Sequence, residues 1–160
     1  MKAPKRLQKN ISLPAMTLVL GGVRSGKSSY AEGLVRAASQ GRGVYLATAN
    51  AAQTKADPEM RARIEHHRKR RGEDWTTIEE PLALAETLLG QAGPETPVLV
   101  DCLTLWLANL IDAGCDVSSK INALEKALSR LDGAVVFVSN EVGLGIVPEN
   151  ATARAFRDHA

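Results

Sequence analysis

A chain of 160 residues, 44% apolar and 24% charged, is long enough to bury one core and has an ordinary soluble globular composition, which argues against a disordered or fibrous protein. Its formal charge of +2 gives no global attraction to nucleic acid or to an acidic membrane surface, so either partner would need a local patch. Its two cysteines, Cys102 and Cys115, form neither a CxxC pair nor a disulfide framework, and their apolar contexts suit plain buried or half-buried thiols.

Residues 1–12 are polar and basic and read as a loose tail before one domain over 13–160. The start, MKAPKRLQKNISLPAMTLVLGG, has the basic-then-apolar order of a signal peptide, but no small-residue cleavage site follows. No apolar stretch reaches the roughly 18 residues of a membrane span, and a cytoplasmic protein is expected. MTLVL (16–20), closed by Gly21-Gly22, has the pattern of a short buried strand. Ala31, Leu34, Val35 and Ala38 recur at helical spacing and predict a helix over 27–38. VYLAT (44–48) is a second buried strand, closed by a polar loop over 50–56.

Asp57-Pro58-Glu59 is a helix start: Asp can cap, Pro fits the first turn and Glu favours the positive end. This helix is expected to run to about Arg71, with Gly72 as its stop. WTTIEE (75–80) predicts a short strand, Pro81 opens a helix to Leu89, and PVLVD (97–101) is a third buried strand ending in a carboxylate. Helices follow over 103–111 and 118–131, then a strand over 134–139, a Gly-rich loop over 140–148 and a further helix from 149 to 158. Apolar strands alternating with helices predict an α/β fold, a mostly parallel sheet covered on both faces. Its ligand site belongs at the C-terminal ends of the strands.

GGVRSGKS fits G-x-x-x-x-G-K-[ST] through Gly21, Gly22, Val23, Arg24, Ser25, Gly26, Lys27 and Ser28. Glycines let successive backbone N–H groups turn inward around phosphate oxygens, and the following helix adds its positive end. Lys27 can reach the outer phosphates, and the Ser28 hydroxyl can ligate Mg²⁺. The bland alternative is a chance match in a glycine turn, and the predicted strand before it and helix after it argue against that. The motif implies a nucleoside triphosphate without naming a reaction, and the expected fold is a P-loop NTPase (RecA-like), three-layered with a mostly parallel sheet flanked by helices. Asp101, at a strand end, can hold the Mg²⁺ shell opposite Ser28; the bland alternative is a solvated acid.

RIEHHRKRRGEDW (63–75) packs two histidines and five arginines or lysines into thirteen positions. On a helix, His67 shares a face with Arg63, Arg70 and Arg71, while His66 lies about 100° away. The two therefore cannot point at one metal, and three histidines with two scattered cysteines argue against a structural zinc site. Three readings remain open: a solvated charged face, a nucleic-acid patch, or a histidine nucleophile among arginines that neutralise phosphate. With only 4% aromatic residues the chain offers few stacking partners for bases.

Taken in order, LVLGGVRSGKSSYAE, VYLATA, DPEMRARIEHHRKRRGEDWTTIEEP, VLVDCLTLWLANL and VSNEVGLGIVPENATARAFRD resemble the bifunctional adenosylcobinamide kinase/adenosylcobinamide-phosphate guanylyltransferases of cobalamin biosynthesis. The resemblance runs from Thr17 to Asp158. It implies phosphorylation of adenosylcobinamide by ATP or GTP, then transfer of GMP from GTP through a histidine intermediate to adenosylcobinamide phosphate. The family pattern RIxxHxxxR falls on Arg63, Ile64, His67 and Arg71, which makes His67 the nucleophile and His66 its neighbour. The implied nucleotide contacts are Thr48, Ala49, Arg68, Lys69, Arg70, Arg71, Glu79 and Asp101, besides the loop. Glu79 has a bland alternative as an acid ahead of Pro81. Asn140, Glu141, Gly143 and Gly145 are implied on the corrinoid side, with a tight turn as the bland alternative. The resemblance also implies a homotrimer, no nucleic-acid partner, and further C-terminal helix and strand beyond RDHA.

Overall fold

The computed structural model describes residues 12–39, 42–50, 58–72 and 75–160. The tail over 1–11, the loop 51–56, Asp57 as a helix cap and the Arg63 side chain therefore lie outside the described residues. Among the described residues five strands, β1 (Met16–Gly21), β2 (Gly43–Ala47), β3 (Trp75–Glu79), β4 (Val98–Asp101) and β5 (Val135–Asn140), form one sheet. Its order is β1-β5-β4-β2-β3, and every pairing is parallel. Six described helices flank it: α1 (Lys27–Ser39), α2 (Pro58–Arg71), α3 (Leu84–Gln91), α4 (Leu103–Asp112), α5 (Val117–Leu128) and α6 (Ala151–His159). The strand that leads into the P-loop and the strand carrying Asp101 are separated by β5, the RecA-like arrangement of a P-loop fold.

Alternation along the strands sorts the core onto two faces. On one face Leu46, Val98, Val100, Val135 and Phe137 pack under α3, α4 and α5, through Leu84, Leu88, Trp106, Leu110 and Leu124. On the other, Tyr45, Leu99, Val136 and Val138 meet Ala31 and Val35 of α1. The three layers expected from the apolar runs are therefore present.

Boundaries shift where side chains take over backbone bonding. The helix expected from Pro81 starts only at Leu84, because the Glu80 carboxylate accepts the N–H groups of Leu82 and Ala83. The helix expected to reach Leu131 ends at Leu128, with Ser129 as its cap. Asn150, rather than Glu149, begins the last helix, its side chain accepting from Thr152 and Ala153. β1 departs most from expectation: Met16, Leu18 and Leu20, which alternation places on one face of the strand, are more than half exposed, and β1 pairs only with β5 among the described strands.

Candidate active site

Because all described strands run parallel, their C-terminal ends gather at one edge of the sheet. That edge carries Gly21, Thr48 just past β2, Glu79, Asp101 and Asn140. The loop after β1 wraps tightly before α1. Gly26 takes φ +86°, a left-handed conformation that favours glycine, and Arg24 takes φ +59° without being one. A Cβ on Gly21 would lie 2.7 Å from the Ser25 hydroxyl, so this position also has no room for a side chain. Lys27 is buried, and its ammonium folds back to donate to the Gly22 carbonyl at 3.0 Å. The Tyr30 N–H to Gly26 carbonyl bond of 3.0 Å starts the helix, leaving the earlier N–H groups of its first turn without intrahelical partners.

These groups open into a cleft of about 480 Å³ lined by Arg24, Ser25, Gly26, Lys27, Ser28 and Ser29 on one side. Glu59, Ala62, His66, His67 and Arg70 of α2 line the other. The P-loop and the histidine helix, about forty residues apart in sequence, thus face one space. Both histidines reach it, their rings edge-to-face at 6.3 Å. They differ in setting: His66 is exposed, whereas His67 is half-buried and its Nδ1 is buried without a partner. Burial lowers the His67 pKa, Asp101 pulls it upward and Arg70 pushes it down again. A neutral imidazole at neutral pH follows.

Arg68, Arg70 and Arg71 of α2 are already engaged. Arg70 forms a two-pronged pair with Glu32 of α1, at 3.0 and 2.8 Å. Buried Arg71 lies 3.5 Å from the ring centre of Tyr45, whose hydroxyl donates to Asp101 Oδ2 at 2.7 Å. Arg68 pairs with Glu79, and Lys69 with Glu65 at 2.7 Å. Burial first, and then the Asp101 charge, raise the Tyr45 phenol far out of its usual range, so it stays a hydrogen-bond donor.

Of the sequence-derived contacts, Gly21, Gly22, Val23, Thr48, Ala49, Arg68, Lys69, Arg71, Glu79 and Asp101 are not among the residues lining this cleft. Thr48 is fully buried: its hydroxyl donates to the Cys102 carbonyl and accepts the Cys102 N–H, each at 2.8 Å. Asn140 donates to the Thr104 hydroxyl at 2.8 Å, and its Oδ1 is buried without a partner. Two residues escaped the sequence reading. Glu32 lies off the apolar stripe of α1 and gives no sequence signal. Tyr45 gave one, because a tyrosine in a buried strand must place its hydroxyl on a partner.

A glycine-rich turn closing one parallel strand, a buried lysine beginning the next helix and an aspartate on a strand two positions across the sheet define a P-loop nucleotide-binding protein. A family model described as cobinamide kinase / cobinamide phosphate guanyltransferase (CobU) matches residues 17–160, and the chain belongs to that family. It is 49% identical over 148 residues to the bifunctional adenosylcobalamin biosynthesis protein CobP of Pseudomonas aeruginosa, covering 89% of this chain and 81% of that protein. It is 42% identical over 160 residues to the bifunctional adenosylcobalamin biosynthesis protein CobU of Escherichia coli, covering 91% and 85%. A solved structure of an ATPase domain overlaps 91% of this chain and 64% of its own at a TM-score of 0.47 and 14% identity.

Proposed function

We propose that this chain performs both transfers for which its family is described, with His67 as the covalent carrier of GMP. The observation that carries this reading is the single cleft lined by Lys27, Ser28 and His67. In the kinase step, the side-chain hydroxyl of adenosylcobinamide attacks the γ-phosphorus of ATP or GTP. A new P–O bond forms, the bond to the β-phosphate oxygen breaks with its electrons leaving on the nucleoside diphosphate, and the hydroxyl proton passes to solvent. Lys27 and the loop N–H groups bind the phosphates and stabilise their spread charge.

In the second step a neutral His67 nitrogen attacks the α-phosphorus of GTP. The N–P bond forms, the bond to the β-phosphate oxygen breaks, and pyrophosphate departs with the electron pair. The imidazolium so formed keeps its Nδ1 proton, so the ring leaves as neutral imidazole when the N–P bond later breaks. Because Nδ1 is buried, Nε2 is the nitrogen left for attack. The phosphate oxygen of adenosylcobinamide phosphate next attacks the same phosphorus, the N–P bond breaks, and adenosylcobinamide-GDP leaves. A phosphoramidate releases its phosphoryl group readily, so GMP stays transferable.

Among the described residues no cluster of three or more acidic, histidine or cysteine side chains could bind a metal by itself. Mg²⁺ takes one or two protein ligands plus phosphates and water. Ser28 and Asp101 would hold it, and it would neutralise charge between the outer phosphates. Asp101 keeps one carboxylate oxygen free of the Tyr45 bond for that purpose. No described helix is long and apolar enough to cross a membrane.

Incubation with α-labelled GTP tests the reading. An acid-labile, alkali-stable GMP adduct is expected, lost in His67→Ala and kept in His66→Ala. Full labelling of His67→Ala would overturn it. A monofunctional P-loop kinase would phosphorylate its alcohol without taking any label.

A further inference from the structure

We propose that Glu32 is a positioning residue for guanylyl transfer: its two-pronged pair with Arg70 holds the His67 helix against the phosphate-binding helix. The inference rests on the reading of His67 as the nucleophile. The pair uses both carboxylate oxygens, one on Arg70 Nε at 3.0 Å and the other on Nη2 at 2.8 Å. A planar guanidinium fork meeting a carboxylate in this way fixes orientation as well as distance.

Burial separates this pair from the other ion pairs described. The Glu32 side chain is 4% exposed, whereas the acids paired with Arg24, Arg42, Arg68, Lys69 and Arg157 are all at least 46% exposed. Exposed pairs of that kind are screened by solvent and hold little in place. A buried carboxylate without its arginine would be strongly unfavourable, so Glu32 and Arg70 stay together.

The register explains what the pair positions. Glu32 follows Ser28 by four residues on α1, and Arg70 follows His67 by three on α2. At a rise of about 1.5 Å per residue, the latch lies about one helical turn from Ser28 on one side and one turn from His67 on the other. Residues three or four apart share a helix face, so the faces that carry Ser28 and His67 are the faces the latch joins. Ser28, His67 and Arg70 accordingly line the same cleft.

α2 needs such a latch because it has no apolar stripe: its one buried side chain among those described is Arg71. Its C-terminal turn is also held by the Arg71–Tyr45 stack, a 3.3 Å bond from Arg36 to the Arg71 carbonyl and the exposed Arg68–Glu79 pair. The kinase step does not use His67, so the latch serves only one of the two reactions.

Glu32→Gln keeps the shape and removes the charge. Single-turnover formation of the GMP adduct at saturating GTP is expected to slow by about tenfold to a hundredfold, the range for a misplaced reacting group. KM for GTP and kinase turnover on adenosylcobinamide should stay near wild type, because the loop still holds the triphosphate. Adduct formation at the wild-type rate, or an equal fall in both reactions, would overturn the proposal. If Glu32→Gln does not fold, Arg70→Lys decides: it retains the charge without the fork, and adduct formation at the wild-type rate would overturn the proposal. A wild-type protein that takes no label overturns the His67 reading and this inference with it, whereas the other outcomes bear on the latch alone.

Discussion

At the scale of single residues, His67 depends on its protonation state. As the proposed nucleophile it must be neutral, and burial holds its pKa below the usual histidine value. The acid limb of kcat/KM for adduct formation, which reports the free enzyme, is therefore expected below the pH at which an ordinary histidine titrates. A limb at or above that pH would mean that the Asp101 charge outweighs burial. Thr48 supplies a second expectation. Thr48→Val leaves the buried Cys102 N–H without its acceptor, while the Cys102 carbonyl keeps the Trp106 N–H at 3.1 Å. A loss of about 1–3 kcal/mol in denaturant unfolding follows. That Lys27, Ser28 and His67 line one cleft agrees with the expectation for them, which came from local P-loop spacing and from the family pattern. The partners of Arg70 and Asp101 were not legible in the sequence, because Glu32 and Tyr45 lie 38 and 56 residues away and only packing brings them in.

At the scale of elements, α2 was expected as a helix and is one, but its charge pattern alone left open what it faces. The structure turns one side of it to the P-loop and holds it mainly by polar contacts, several of them exposed. Raising salt screens the exposed pairs, so amide exchange in α2 is expected to accelerate with ionic strength while exchange in α3, packed through Leu84 and Leu88, stays unchanged. Equal protection at low and high salt would show that the buried pair alone suffices. Helix ends were the least legible feature. Glu80 and Asn150 decide them through side-chain bonds that periodicity does not register. Asn150→Ala is expected to cost about 1 kcal/mol of α6 stability, seen as faster amide exchange in its first turn.

At the scale of the whole molecule, stability comes from two apolar layers on either side of one sheet. Leu88 is fully buried in the larger layer, and Leu88→Ala is expected to lower unfolding free energy by about 2–5 kcal/mol. The exposed side of β1 behaves oppositely: Leu18 is 55% exposed, so Leu18→Lys is expected to leave stability within about 0.5 kcal/mol and to reduce concentration-dependent association in sedimentation. From sequence alone came the α/β class, the order of the elements, the P-loop and the choice of His67 over His66 by family pattern. Apolar periodicity, glycine spacing and motif order are written along the chain and need no knowledge of how distant parts meet. Tertiary structure alone decided that Met16, Leu18 and Leu20 of β1 are more than half exposed, that Thr48 is committed to Cys102, and that Glu32 and Tyr45 stand behind the site. Those outcomes depend on which surfaces the sheet order brings together, and burial then makes each polar group find a partner there.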